Sequence, residues 1–182
     1  SSGELITWVE VPTLSVTADT ILYVYYGGPS SGATNQNPTG VWDANYKGVW
    51  HLKENAANTT VSDSSSNANT GTNAANTSAK TITGQINSGL DYNGTTDKTT
   101  VADHASLDFT SAATIEIWFN ADTWAAGVNE LVAKDGNYLL RQDDSGVADQ
   151  ITILYWDNTN IVYMNANRPA TGGWHHAAGV IS

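Results

Sequence analysis

Residues 113–119 read Ala-Thr-Ile-Glu-Ile-Trp-Phe, and this stretch decides the fold. Apolar side chains alternate with Thr114 and Glu116, and β-branched and aromatic residues dominate, which is the pattern of a β-strand. Apolar spacing of the helical kind is sustained nowhere beyond two turns. Strand-like runs bounded by turn residues recur on both sides, at residues 5–11, 20–26, 49–52, 88–92, 98–101, 130–134, 137–141, 150–156, 160–164 and 173–182. The chain is therefore expected to be all-β, an antiparallel β-sandwich.

The connections between these runs carry their own signals. Only residues 12–19 separate the first two runs, which predicts an N-terminal antiparallel hairpin. Asp135-Gly136 and the segment 157–160 (Asp-Asn-Thr-Asn) predict two further hairpin turns. Residues 55–79 hold one large apolar side chain, Val61, so this segment is expected to be a surface loop that contributes nothing to a core.

Composition excludes several classes of partner. The 182 residues suffice for one domain with a partial neighbour. The formal net charge is −11, so the chain lacks the basic stripe that binds nucleic acid or an anionic membrane. No apolar run is long enough for membrane insertion, and the absence of cysteine excludes disulfides and thiolate chemistry. Abundant small polar residues favour an extracellular or cell-surface protein of bacteria or archaea.

Five segments together resemble the laminin-G-like, concanavalin A-like jelly-roll domains of bacterial and archaeal surface proteins. These segments are residues 48–52, 63–72, 89–94, 113–119 and 173–179, in this order and at these spacings. The resemblance implies a jelly roll over residues 48–182. Residues 1–28 resemble the closing strands of an uncharacterised surface domain, and residues 29–47 form a connector.

In that family the chain continues for several strands beyond the Trp-His-His strand, which here begins at Trp174. The resemblance therefore implies an incomplete sandwich with unpaired strand edges. Three outcomes stay open. The 1–28 hairpin patches the sandwich, a second copy completes it by self-association, or the piece folds as it stands.

The jelly-roll family includes glycoside hydrolases, so Glu116 is a candidate catalytic acid. Retaining hydrolysis needs two carboxyl groups about 5–5.5 Å apart, but the same-face neighbours of Glu116 are Thr114 and Trp118. No Gly-x-Ser-x-Gly nucleophile motif is present either. His175 and His176 point to opposite faces of a strand and cannot share a zinc ion, so one is expected in the core and one at the surface. We expect no enzyme, and an outward-facing structural role for Glu116.

A calcium site is a stronger candidate than a zinc site. Asp63, Ser65, Asn67 and Asn69 alternate oxygen ligands along one segment, as calcium prefers, although the twelfth position of an EF-hand would be Ala74. The same residue types also close turns without any ion. Laminin-G-like relatives often carry calcium. The expected Ca²⁺ ligands are therefore Asp63, Asn67, Asn69, Asp91 and Asp97, with Asp103 on the same neighbouring loop.

Seven Trp and eight Tyr are more aromatic residues than the core of such a chain needs. Aromatic faces stack on sugar rings, and Asn and Asp bond to hydroxyl groups, which favours carbohydrate binding. The family pattern implies that Trp50, Trp118 and Trp174 are packed in the core. The expected exposed platform comprises Trp124, Trp156 and Tyr163, with Asp122, Asp157 and Asn158 as hydrogen-bonding neighbours.

Three functions follow from these observations. The first is a non-catalytic module that binds a polysaccharide or a surface glycoprotein, within a secreted or cell-surface multidomain protein. The second is a structural spacer or adhesin repeat without a ligand of its own. The third, a fragment of a glycoside hydrolase, has the least support.

Overall fold

A computed structural model describes residues 5–25, 36–109, 112–143, 149–156 and 159–182. The only α-helix in these ranges is α1, Pro38–Val41, and two 3₁₀ turns occupy Thr77–Ala79 and Ala105–Leu107. The strands are β1 Thr60–Val61, β2 Gly71–Asn73, β3 Thr81–Thr83, β4 Ser88–Leu90, β5 Thr99–Val101, β6 Ala113–Asn120, β7 Val128–Lys134, β8 Tyr138–Asp143, β9 Gln150–Trp156, β10 Ile161–Asn167 and β11 Trp174–Ile181. All strand pairs are antiparallel, which confirms the predicted all-β class. No helix in the described ranges is long and apolar enough to cross a bilayer.

The chain divides into two compact units. The first comprises Ser1–Tyr92 with Asp97–Ala102, and the second comprises Asn93–Thr96 with Asp103–Ser182. In the first unit, β1, β2 and β5 form a three-stranded sheet in that order, and β3 pairs with β4. The predicted strand at residues 49–52 is reduced to an isolated bridge between Trp50 and Asp63.

The segment 55–79 corrects one prediction, because it does contribute to the interior. Val61 and Thr77 are fully buried, and three further polar side chains, Ser65, Asn69 and Asn73, are buried beside them. Their polar groups are satisfied locally: Thr77 Oγ1 accepts from the Ala56 N–H at 3.0 Å and donates to the Ala56 carbonyl at 3.1 Å. Hydrogen bonding thus removes the cost that normally keeps polar side chains out of an interior.

The N-terminal hairpin is a second correction. Residues 5–25 contain no strand, and their large apolar side chains are exposed except for the half-buried Val11, with Val16 100% and Tyr25 92% accessible. A two-stranded hairpin is marginal in water unless a third strand or a helix covers it. The alternating apolar residues of this segment therefore favour a strand, but no partner strand among the described residues stabilises one.

The second unit contains the longer strands. β7 to β10 form a four-stranded sheet in the order β10-β9-β8-β7, and β6 pairs with β11. The predicted Asp135-Gly136 turn joins β7 to β8, with Gly136 at φ 74°, a conformation that favours glycine. Asp157 and Asn158 of the other predicted turn lie outside the described residues, while β9 and β10 pair as expected.

A core lies between these two sheets of the second unit. Its buried members are Phe119, Leu140, Ile151, Ile153, Tyr155 and Ile181. β11 approaches β9 closely, because a Cβ placed on Gly179 would lie 2.0 Å from Ile153 Cδ1. This packing of antiparallel sheets confirms the predicted sandwich and fixes which face of β6 and β11 points outward.

Candidate functional site

The outward face of the β6–β11 pair is the candidate site, and we call it the Trp118 face. The register opposes Glu116 to Ala178 and Trp118 to His176. Since residues directly opposite in a sheet share a face, this face comprises Thr114, Glu116, Trp118 and Asn120 of β6 with Trp174, His176, Ala178 and Val180 of β11. All of them are exposed except Trp174, which is half-buried.

The strand sequence explains why these side chains face outward. Ile115, Ile117 and Phe119 alternate with them and pack on the core of the second unit. Burial of that apolar set fixes the register, because a shift of one residue would bring Glu116 into the core. The site is therefore carried by two paired strands rather than by a loop, which holds its side chains in defined positions.

Trp118, His176 and Glu116 form a contiguous group on this face. The ring of His176 contacts that of Trp118, with centroids 5.1 Å apart and an interplanar angle of 45°. His176 Nε2 lies 3.4 Å from Glu116 Oε2, and the Glu116 side chain is 62% exposed. Trp118 itself is 42% exposed. An accessible indole flanked by a carboxylate, an imidazole and the amide of Asn120 can stack on a sugar ring and bond to its hydroxyls.

Trp118 lies on the candidate face, whereas the sequence analysis placed it in the core, and that placement is wrong. The sequence did indicate an outward position for Trp118. Trp118 lies two positions after Glu116 on the same strand, and Glu116 was correctly expected to face outward. Trp174 is also on the outer face. Trp50 is half-buried, and its indole N–H donates to the Asn69 carbonyl at 2.8 Å. The expected division of the two histidines is confirmed, since His175 faces the core side, next to Phe119.

Trp124 is not the exposed loop residue that the sequence predicted. Its indole N–H donates to the Pro169 carbonyl at 3.1 Å, and its ring meets Phe119 edge-on at 5.8 Å. The Arg168 guanidinium lies 5.8 Å from the centre of the same ring. These contacts make Trp124 one of the half-buried residues that pack against the core.

The other predicted sugar-binding residues lie apart from Trp124. Trp156 and Tyr163 share one face of the four-stranded sheet as diagonal neighbours, since Trp156 opposes Ile161 and Tyr163 opposes Leu154. Tyr163 is 54% exposed, whereas Trp156 is half-buried. Asp122 is exposed in the loop after β6, and Asp157 and Asn158 lie outside the described residues. The predicted set is therefore not a single cluster, and its role in binding stays a prediction.

The first group of predicted calcium ligands is held by the protein itself. Asp63 Oδ1 accepts from the N–H groups of Val49 and Ser65, and Asp63 Oδ2 accepts from Ser65 Oγ and the Asn69 N–H, all at 2.8–2.9 Å. Asn67 and Asn69 both donate through Nδ2 to the Lys47 carbonyl. The alternating polar residues thus build a network that closes this loop, as Asx residues do without an ion.

The second group of predicted ligands engages lysines. Asp97 forms an ion pair with Lys80 and raises the pKa of that lysine. Asp103 pairs with Lys134 at 2.5 Å, which lowers the pKa of the Asp103 carboxyl. Asp91 is exposed. Among the described residues no three His, Cys, Asp or Glu side chains group to hold a metal ion, and calcium binding stays a prediction.

The first unit contains an aromatic cluster that was not predicted from the sequence. Trp42 contacts Trp8, Tyr46 and His51, with ring centroids 4.9–5.7 Å apart, and Trp8 stacks on His51 at 5.8 Å. Burial of His51 lowers its pKa, and the neighbouring Lys53 lowers it further. The cluster ties the N-terminal segment to the connector. Its rings pack on one another, but Trp8 and Tyr46 are 48% and 44% accessible, so the cluster is half open to solvent.

An open groove of about 430 Å³ lies in the second unit, between β10 and β11. Apolar core residues such as Leu140, Ile153 and Met164 line it. Among the described strands, β10 pairs only with β9 and β11 only with β6, so each has one free edge. The predicted self-association through unpaired edges has its structural basis here and stays a prediction.

Part of the chain matches a known protein family. A family model described as the concanavalin A-like lectin/glucanases superfamily matches residues 93–182. No curated protein and no solved structure matches the chain. The matched residues include all of β6 to β11 and thus the whole Trp118 face.

Proposed function

Residues 93–182 form a laminin-G-like domain of the concanavalin A-like lectin/glucanase superfamily, and from this premise we propose that the chain is a non-catalytic carbohydrate-binding module. Its ligand is a polysaccharide or the glycan of a surface glycoprotein. Laminin-G-like domains are typically extracellular, which supports a place in a secreted or cell-surface protein.

The exposure of Trp118 is the observation that carries this proposal. Trp118 contacts His176 but still leaves 42% of its surface accessible on a regular strand, and polar groups suited to sugar hydroxyls surround it. The spacer function instead predicts that all seven tryptophans are buried. Trp118 and Trp8, at 42% and 48% accessible, support the binding function over the spacer.

The single carboxylate of the Trp118 face supports a function without catalysis. The superfamily includes glycosidases, and a retaining one needs two carboxyl groups about 5–5.5 Å apart. Glu116 is the only acidic residue among the eight that the register assigns to the Trp118 face. Its carboxylate contacts His176 instead of a second acid.

Affinity electrophoresis against a panel of soluble glucans, fructans and pectins, with calcium and with EDTA, tests the proposal. We expect at least one polysaccharide to retard the folded chain. Trp118→Ala should abolish that retardation and lower the free energy of unfolding by only about 1 kcal/mol, because it removes one cross-strand pair with His176.

Trp124→Ala is the matched control, because it removes the same side chain from a packed position. It should lower stability by roughly 2–4 kcal/mol and retain binding under conditions where it stays folded.

Tyr163→Ala tests whether the sugar binds instead to the face shared by Trp156 and Tyr163. Loss of binding in Tyr163→Ala but not in Trp118→Ala would move the site there, and free migration of the folded wild type through every gel would favour the spacer.

A further inference from the structure

The charge distribution around Trp118 identifies a class of sugar. Resting on the proposed function, we propose that the Trp118 face prefers glycans with free ammonium groups, of the glucosamine type, over their N-acetylated counterparts, and that it rejects uronate polymers. Neither the fold nor the family match selects between these classes.

Glu116 supplies the negative charge. Its side chain is 62% exposed, and its only ion pair among the described residues is with His176 at 3.4 Å. This contact involves Oε2 alone, and no hydrogen bond or ion pair among the described residues engages Oε1. A ligand ammonium can therefore pair with Glu116 at the surface of the sheet.

Trp118 supplies a second attraction for the same ammonium. Glu116 and Trp118 are two positions apart on one strand and so project from the same face. A cation over an exposed indole is attracted by the negative face of the ring, in addition to the stacking that any sugar obtains. An acetamide group is uncharged and gains neither of these two attractions.

No lysine or arginine of the second unit competes for Glu116 or attracts an anionic polymer. The eight residues of the Trp118 face include no lysine or arginine. The three basic residues of the second unit each pair with an acid of that unit: Lys134 with Asp103 and Asp108, Arg141 with Asp143, and Arg168 with Asp149. With a net charge of −11 over the chain, a uronate polymer meets repulsion throughout.

Isothermal titration of the full chain with two hexasaccharides of identical β-1,4 backbone tests the inference. One is built of glucosamine and the other of N-acetylglucosamine, at a pH where the amines are protonated. We expect the glucosamine hexamer to bind about three- to tenfold more tightly, with a preference that shrinks as salt is added. Polygalacturonate should show no binding.

Two variants test the preference for glucosamine separately from the proposed carbohydrate binding. Glu116→Gln should reduce the preference to less than twofold while retaining the N-acetylated hexamer, and Glu130→Gln, which removes an exposed carboxylate of β7, should keep the full preference. Equal affinity of the wild type for both hexamers, or an unchanged preference in folded Glu116→Gln, overturns the inference alone. Failure of the folded wild type to bind either hexamer or any panel polysaccharide overturns the proposed function and the inference with it.

Discussion

At the scale of single residues, Asp63 shows how a polar sequence specifies structure. Its two carboxylate oxygens accept four hydrogen bonds from residues 49–69. Asp63→Ala leaves these donors without their acceptor, so we expect it to cost about 3 kcal/mol of unfolding free energy. Urea denaturation measures this, with exposed Asp122→Ala as the control, expected within about 0.5 kcal/mol. Equal stability of the two variants would show that the network contributes nothing.

His51 gives the molecule a pH dependence with a definite sign. Burial and Lys53 lower its pKa below the ordinary 6.5, so the unfolded chain takes up a proton more readily than the folded one. Stability from His51 is therefore fully present above about pH 6.5 and is lost as the pH falls through the folded pKa. Denaturation at pH 7.5 and pH 5.5 should show wild type losing more stability on acidification than His51→Gln. An identical loss in both would contradict this role of His51.

At the scale of the elements, Gly179 is where β11 comes closest to β9. A Cβ at this position would lie 2.0 Å from Ile153 Cδ1, so any larger residue forces the core side chain to move. Gly179→Val should destabilise the second unit by roughly 1–3 kcal/mol. Ala178→Val places the same side chain on the exposed face and is the control. Thermal melts that agree for the two variants would rule out the tight contact.

The sequence predicted elements well wherever a strand has both an alternating pattern and a partner. The runs at 113–119 and 150–156 correspond to β6 and β9 because each buries its apolar residues against the opposite sheet. The run at 5–11 has the same alternation but no partner strand in the described residues. The prediction for residues 55–79 was wrong for a different reason. Their interior depends on hydrogen bonds such as those of Thr77, which a count of apolar residues does not register.

The candidate site was only half predictable from sequence. The outward position of Glu116 followed from strand alternation, and the same rule applied strictly would have placed Trp118 beside it. What alternation cannot supply is the pairing of β6 with β11, which brings His176 from 58 positions away in sequence to Trp118. The burial of Trp124 depends likewise on a contact with Pro169 across the fold.

At the scale of the whole molecule, the net charge of −11 makes a divalent cation the natural stabiliser. We predict that millimolar calcium raises the melting temperature and that chelator lowers it, because a ligand bound by the folded state alone stabilises it. Matched magnesium is the control for general screening of the charge. A rise in calcium no larger than the rise in magnesium would contradict a specific calcium site.

The claim that Trp118 carries the binding face is tested most directly by nuclear magnetic resonance of the seven indole N–H groups. The chain would be titrated with an oligosaccharide of whichever polysaccharide retards it, and the Trp118 signal assigned by its loss in Trp118→Phe. The account predicts that the Trp118 signal shifts most, with Trp174 next, while Trp124 stays unchanged. Shifts confined to Trp124 or Trp156, with Trp118 unmoved, would contradict it.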